Sequence, residues 1–257
     1  MENKKIYIIP DVHGRQFWRP VLQHLDENCE IVFLGDYLDP YSHENITPEF
    51  ALEQFKEIIE IARNNKNVHL LLGNHDLEYM LGRYICYCRC NDYDYYEIKD
   101  LFIDNADLFN IAWDTILDNS KKFLFSHAGV HTDWIETNKQ NFDGYNIYSA
   151  RVLNELFHTK KLDLILGDVS RERGGDMFAG SIVWADIREY LSNIYKVSYS
   201  APEHLTQIVG HTMLKEPVQI GNVICLDTKK LFVLDAFGDI YEYGQEKPYN
   251  IIKINKA

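Results

Sequence analysis

Asp-Val-His-Gly at 11–14, Gly-Asp-Tyr-Leu-Asp at 35–39, Gly-Asn-His-Asp at 73–76, Ser-His-Ala-Gly at 126–129 and Gly-His-Thr at 210–212 each follow an apolar, β-rich run. The runs are Lys5–Pro10, Ile31–Leu34, Val68–Leu72, Phe123–Phe125 and Leu205–Val209. Continuous apolar runs of this length suit strands covered on both faces. Helical spacing lies between the early ones. Thr47 can cap a helix that has Pro48 in its first turn, and Phe55, Ile58, Ile59 and Ala62 then recur on one face. Arg15–Leu25 is a weaker helix, broken or delayed by Pro20. A β-α-β-α-β order predicts parallel strands. Ligands of such sheets gather at the carboxyl ends of the strands, where the polar blocks fall.

The last third reads differently. Val218–Ile220, Val223–Leu226, Leu231–Leu234 and Asp239–Tyr243 are short strands separated by turn residues. They predict a second, largely antiparallel sheet packed on the first. Neither a repeat nor a domain boundary is visible, so residues 1–257 read as a single domain, with 83–121 as a helical insertion.

Composition narrows the function. The 46% hydrophobic content supports a sizeable core. A net charge of −13, from 26 Lys+Arg against 39 Asp+Glu, opposes nonspecific binding to nucleic-acid backbones. The N-terminal MENKKIYIIP is too short in apolar residues for a signal peptide, and no stretch approaches the roughly 20 apolar residues of a membrane helix. Five cysteines (Cys29, Cys86, Cys88, Cys90 and Cys225) do not form a secreted disulfide framework. These features together predict a cytoplasmic protein without a membrane partner.

The strand ends bring together Asp11, His13, Asp36, Asn74, His127 and His211, all oxygen or imidazole donors with no thiolate among them. Such donors suit borderline divalent ions, namely manganese, iron or zinc. A carboxylate can bridge two cations, and Asp36 is the candidate. Two ions about 3.5–4 Å apart grip a phosphoryl group and acidify a water. Glycines beside the ligands let the backbone turn sharply.

The ordered blocks resemble the signature of calcineurin-like metallophosphatases. The single histidine of Gly-His-Thr is similar to the serine/threonine protein phosphatases and their bacterial relatives, as are Ser-Ile-Val-Trp-Ala-Asp (181–186) and Leu-Asp-Thr (226–228). The resemblance implies a four-layer α/β/β/α sandwich of two packed mixed sheets. It implies hydrolysis of phosphate monoesters by a metal-bridging hydroxide, on a phosphoprotein or, alternatively, on a nucleotide or dinucleoside polyphosphate. It assigns one metal to Asp11, His13 and Asp36, and a second to Asp36, Asn74, His127 and His211. His75 matches the general acid and Asp39 the carboxylate that pairs with it. An imidazolium is suited to protonate a departing alkoxide near neutral pH, and a carboxylate can hold its orientation.

The sequence departs from the family pattern after Asp39, where Pro40 and Tyr41 replace the phosphate-contacting arginine. Arg173, in Arg-Gly-Gly, is the first substitute for substrate binding beside Asn74, with Arg188 and Arg83 behind it. Tyr84, Tyr87, Tyr93, Tyr95 and Tyr96, interleaved with Cys86, Cys88 and Cys90, read as packing for the insertion. His131 is an outside ligand candidate, and the other histidines are ordinary.

Overall fold

Alternation of β-branched and aromatic residues with no proline or glycine makes Lys5–Ile9 a strand, buried from Ile6 onward. The computed structural model describes residues 5–25, 28–82, 89, 94–117, 120–163, 165–191, 201–202 and 204–254. In chain order they hold β1 (Lys5–Ile9), β2 (Cys29–Phe33), α1 (Pro48–Asn64), β3 (Val68–Leu71), α2 (Asn74–Leu81), α3 (Tyr95–Asp104), β4 (Phe109–Asn110), β5 (Ala112–Ile116) and β6 (Lys122–Ser126). There follow α4 (Thr132–Thr137), α5 (Lys139–Phe142), α6 (Ala150–His158), β7 (Leu205–Val209), β8 (Val218–Ile220), β9 (Val223–Cys225), β10 (Phe232–Leu234), β11 (Ile240–Glu242) and β12 (Ile252–Ile254). Among the described residues no helix is long and apolar enough to cross a membrane.

The chain divides into two compact units, each drawn from separate stretches. The first is Met1–Asn110 with Lys229–Pro248, and the second is Ile111–Thr228 with Tyr249–Ala257. Because the chain leaves the first unit and returns to it, no single linker marks a boundary in the sequence.

The first unit contains the six-stranded mixed sheet β11-β10-β1-β2-β3-β4. The expected parallel pairing is present: β1 with β2, β2 with β3, and β3 with β4. Thr47 caps α1 by accepting the Phe50 amide at 3.2 Å, with Pro48 in the first turn. The face of α1 that carries Phe55, Ile58, Ile59 and Ala62 is buried as expected. Phe55 meets Phe102 of α3 at 4.7 Å, Phe102 meets Phe109 at 5.1 Å, and Tyr37 meets Phe55 at 5.2 Å, between ring centroids. Each such ring contributes roughly 1.5–3 kcal/mol when fully buried. The weaker helix expected over Arg15–Leu25 is only a 3-10 turn at Arg19–His24. Pro20 stands in the first turn of that element, where its missing N–H costs no hydrogen bond, so it marks a late start.

The second unit contains the mixed sheet β12-β8-β9-β7-β6-β5. Its β6–β7, β7–β9 and β8–β12 pairs are parallel, whereas β5–β6 and β8–β9 are antiparallel. Its interior includes Ala128, Tyr190, Val209, Val223 and Cys225.

The expectation of a second, largely antiparallel sheet built from the last third is corrected. The β8–β9 hairpin joins the second unit, but β10 and β11 run antiparallel beside β1 in the first. Gly221 and Gly238, both at positive φ, close the two hairpins. The stretch between them is a crossing of the chain, not a third turn. Within 83–121 the helix α3 and a following 3-10 turn end at Leu108, and strand structure begins at Phe109, so the helical reading does not extend to 121. Residues 83–88 and 90–93, with Arg83, Tyr84, Cys86, Tyr87, Cys88, Cys90 and Tyr93, lie outside the described residues.

Candidate active site

In the first unit the polar blocks converge where three parallel strands end. Asp11 and His13 follow β1, Asp36 and Asp39 follow β2, and Asn74 and His75 begin α2 after β3. All six are buried. The local fold explains why. Asp76, in the first turn of α2, accepts the Gly73 amide at 2.8 Å, which closes half of a capping box. The same carboxylate accepts the amides of Asp36 at 2.7 Å and Tyr37 at 3.1 Å, and so ties the loop after β2 to the start of α2. Glycine is required where these backbones meet: a Cβ on Gly73 would lie 2.1 Å from Asp36 Oδ1, and one on Gly35 would lie 2.4 Å from the Gly73 nitrogen. His13, Asp36 and Asp39 hold left-handed backbone, with φ of 46°, 52° and 58°. Such strain in non-glycine residues persists only where the surroundings over-determine it, and it clusters at functional sites.

The electrostatics of this cluster suit a cation. His13 Nδ1 donates to the Leu38 carbonyl at 2.7 Å, which leaves Nε2 with its lone pair. That Nε2 lies 3.6 Å from Asp36 Oδ2 and 4.0 Å from Asp11 Oδ2. These gaps are too long for hydrogen bonds but match ligand atoms grouped around a metal at bonds of about 2.0–2.2 Å. Ligand atoms of His13, Asp36 and His75 all lie within 4.8 Å of one another. Burial, reinforced by His75, holds the His13 ring well below the usual histidine range, so it is the neutral donor a metal needs. Burial, with Asp11, Asp76 and Asp39 nearby, pushes the Asp36 carboxyl well above its ordinary value. A bound cation relieves that repulsion, so the residues present fit a divalent metal.

Beside the carboxylates stands an acid pair. His75 Nδ1 donates to Asp39 Oδ2 at 2.6 Å, and both side chains are buried. Burial raises the Asp39 carboxyl to about 7, against the pull of the Tyr79 hydroxyl and the Arg89 charge. The His13 and His75 rings meet edge to face at 5.2 Å.

In the second unit, β6 delivers His127 and β7 delivers His211 through Gly210. The Gly210 amide donates to the His127 carbonyl at 2.8 Å and sets the two ends side by side. His127 Nε2 and His211 Nδ1 approach to 3.0 Å. Two nitrogens bound to one metal at about 2.1 Å and near a right angle would lie about this far apart. His211 also carries a left-handed φ of 63°.

The arginine expectations fare differently. Arg173 pairs with Asp186 at 2.9 Å, and its Nη2 donates to the His211 carbonyl at 2.9 Å and to Thr212 Oγ1 at 2.8 Å. It braces the backbone of a candidate ligand. Arg188 is held by Asp186 at 2.8 Å and Glu172 at 3.0 Å. His131 is structural. Its Nδ1 accepts the Asp133 amide at 3.1 Å and caps α4, and its Nε2 lies 3.2 Å from the Glu189 carbonyl.

Two residues escaped the sequence reading. Arg89 is exposed, donates to the Asp39 carbonyl at 3.0 Å and lies over the Tyr41 ring at 3.8 Å. Tyr41 in turn meets the His13 ring at 5.1 Å. The vacancy for a guanidinium after Asp39 was a signal, but nothing in the spacing tied position 89 to it. Tyr79 donates its hydroxyl to Asp39 Oδ1 at 2.6 Å. It lies four residues after His75 and therefore on the same helix face, a pattern that could have drawn attention to it.

A family model described as calcineurin-like phosphoesterase matches residues 4–176. No curated protein matches the chain. Among solved structures, a protein serine/threonine phosphatase from Saccharomyces cerevisiae is similar at 15% identity, with a TM-score of 0.43, over 90% of this chain and 72% of that one. The calcineurin-like phosphoesterase YfkN from Bacillus subtilis is similar at 15% identity, with a TM-score of 0.37, over 97% of this chain and 88% of that one.

Proposed function

Because this chain belongs to the calcineurin-like phosphoesterase family, we propose that it is a two-metal phosphatase that hydrolyses phosphate monoesters, with phosphoserine and phosphothreonine in proteins as its substrate class. Asp11, His13 and Asp36 would hold one divalent ion. Asp36, Asn74, His127 and His211 would hold the other. The bound ions would supply a water acidified toward neutral pH and positive charge opposite the phosphoryl oxygens.

The observation that carries this reading is the buried His75–Asp39 pair, at 2.6 Å, beside the His13–Asp36 cluster. Asp39 fixes Nδ1–H as the inward tautomer, so Nε2 is the atom that faces the substrate. When the phosphorus–oxygen bond of the ester breaks, the departing alkoxide takes its proton from His75 Nε2. The ring then becomes neutral while Nδ1–H stays on Asp39. Arg89 is assigned the phosphate contact, because its guanidinium is exposed and is oriented by the Asp39 carbonyl and the Tyr41 ring. Arg173 is assigned the bracing of His211.

A second reading is hydrolysis of nucleotides or dinucleoside polyphosphates. It is favoured by one observation, the Tyr41 ring beside His13 at 5.1 Å, an aromatic surface on which a base could stack. A screen of phosphopeptides against mono- and dinucleotides, with manganese, separates the two. His75→Asn tests the core of both. Turnover should fall about 10²–10⁴-fold, the range of a general acid, with cation content kept. Unchanged turnover of an ester with a poor leaving group would remove the acid role.

A further inference from the structure

The acid pair has a third member. Asp39 has its side chain fully shielded from solvent, so water cannot complete its hydrogen bonds. Oδ2 is taken by His75 Nδ1 at 2.6 Å. Oδ1 is taken by Tyr79 Oη, also at 2.6 Å. Both donors come from one face of α2, four residues apart. The Tyr79 ring cannot easily swing away. It is fully buried, stacks on Phe102 at 6.4 Å, and packs against Tyr95 at 5.5 Å. Two donors on the two oxygens fix the carboxylate plane, and the carboxylate plane fixes the imidazole. Removing the hydroxyl would leave a buried oxygen without a partner, free to rotate toward His75 and blur the direction in which Nε2 points.

We infer that Tyr79 is a positioning residue of the reaction: it holds Asp39 so that His75 presents its proton to the leaving group. The inference rests on the assignment of His75 as the acid. It separates Tyr79 from residues that merely support α2, because only a group acting through the acid should matter more when the leaving group is poor.

The test is Tyr79→Phe, which keeps the ring and its packing. Phenyl phosphate, whose leaving group needs a proton, should lose about tenfold or more in kcat, a fraction of what a whole general acid is worth. p-Nitrophenyl phosphate should lose much less, while KM and bound manganese stay at the wild-type level. An equal loss on both esters, no loss on either, or a change confined to KM would overturn the inference. A second readout needs no turnover. In metal-free protein labelled with ¹⁵N-histidine, the Nδ1–H resonance of His75 should lie far downfield and should move upfield in Tyr79→Phe. An unmoved resonance overturns the inference as well. If the wild type hydrolyses neither ester with manganese, the proposed function fails, and the resonance alone decides the role of Tyr79. If Tyr79→Phe does not fold, replacing Tyr79 with 3,5-difluorotyrosine keeps ring and hydroxyl but makes the donor more acidic. An unchanged resonance and an unchanged ratio of the two rates would then refute the role.

Discussion

Asp76→Ala should do more damage than any single ligand substitution, although Asp76 holds no ion in the proposed scheme. Its carboxylate takes three backbone amides, from Asp36 at 2.7 Å, Gly73 at 2.8 Å and Tyr37 at 3.1 Å, in a site with no solvent exposure. A buried amide left without a partner costs about 1–3 kcal/mol. Three of them, with partial relaxation, give about 3–6 kcal/mol, against the roughly 5–15 kcal/mol that holds a typical domain folded. Asp76→Asn keeps one oxygen, so it should cost less, about 1–3 kcal/mol. A second effect follows from strain. Asp36 sits at φ 52° with its amide held by Asp76. Once released it should relax, and manganese affinity should fall about 10–100-fold, the usual cost of losing a group that orients a ligand. Urea unfolding with chelator measures the first effect, and calorimetric titration of manganese measures the second. Both belong at about pH 8, above the value of about 7 to which burial raises this carboxyl against the pull of its amides. Asp76→Ala within about 1 kcal/mol of wild type, with unchanged manganese affinity, would refute the reasoning.

Gly73→Ala should abolish manganese binding in the same titration, since its Cβ would fall 2.1 Å from Asp36 Oδ1; retained affinity would show that the loop has room to yield. Without metal, stability should depend on pH through Asp39. Its carboxyl is raised from about 4 in the unfolded chain to about 7, so its contribution is full below about pH 4 and is lost as pH rises through about 7. Thermal melts with chelator should therefore decline across that window, and manganese should restore the loss at the upper end. Arg89→Ala should raise KM for phosphorylated substrates about tenfold or more with a smaller change in kcat, as expected for a charged contact made before the transition state; an unchanged KM sends the phosphate contact elsewhere. Thr47→Ala should cost about 1 kcal/mol in urea unfolding and leave turnover unchanged, because its cap lies on the exposed end of α1.

Much of this was legible from local pattern. Strands β1, β2, β3, β6 and β7 fall on the apolar runs, and the buried candidate ligands of the first unit fall on the polar blocks that follow them. These features are set by residues near one another in sequence, and periodicity reports that range. The destination of β10 was not legible. Its pattern states that it is a strand, but its partner β1 is chosen by the whole tertiary structure. The partners of Arg173 were not legible for a related reason. Its place beside glycines was visible, but Asp186 and the His211 carbonyl, which occupy its guanidinium, approach only through folding. Tyr79 was missed because a tyrosine in a helix reads as core, and it is core: only the position of its hydroxyl gives it a second role.

The pairing of Ile6 with Leu234 has a consequence for how the protein is made. On the ribosome, β1 emerges long before its antiparallel neighbour β10. Until then one flank of β1 offers bare amides and carbonyls to any passing extended chain. Nascent chains stalled before residue 232 should therefore be the form most dependent on chaperones.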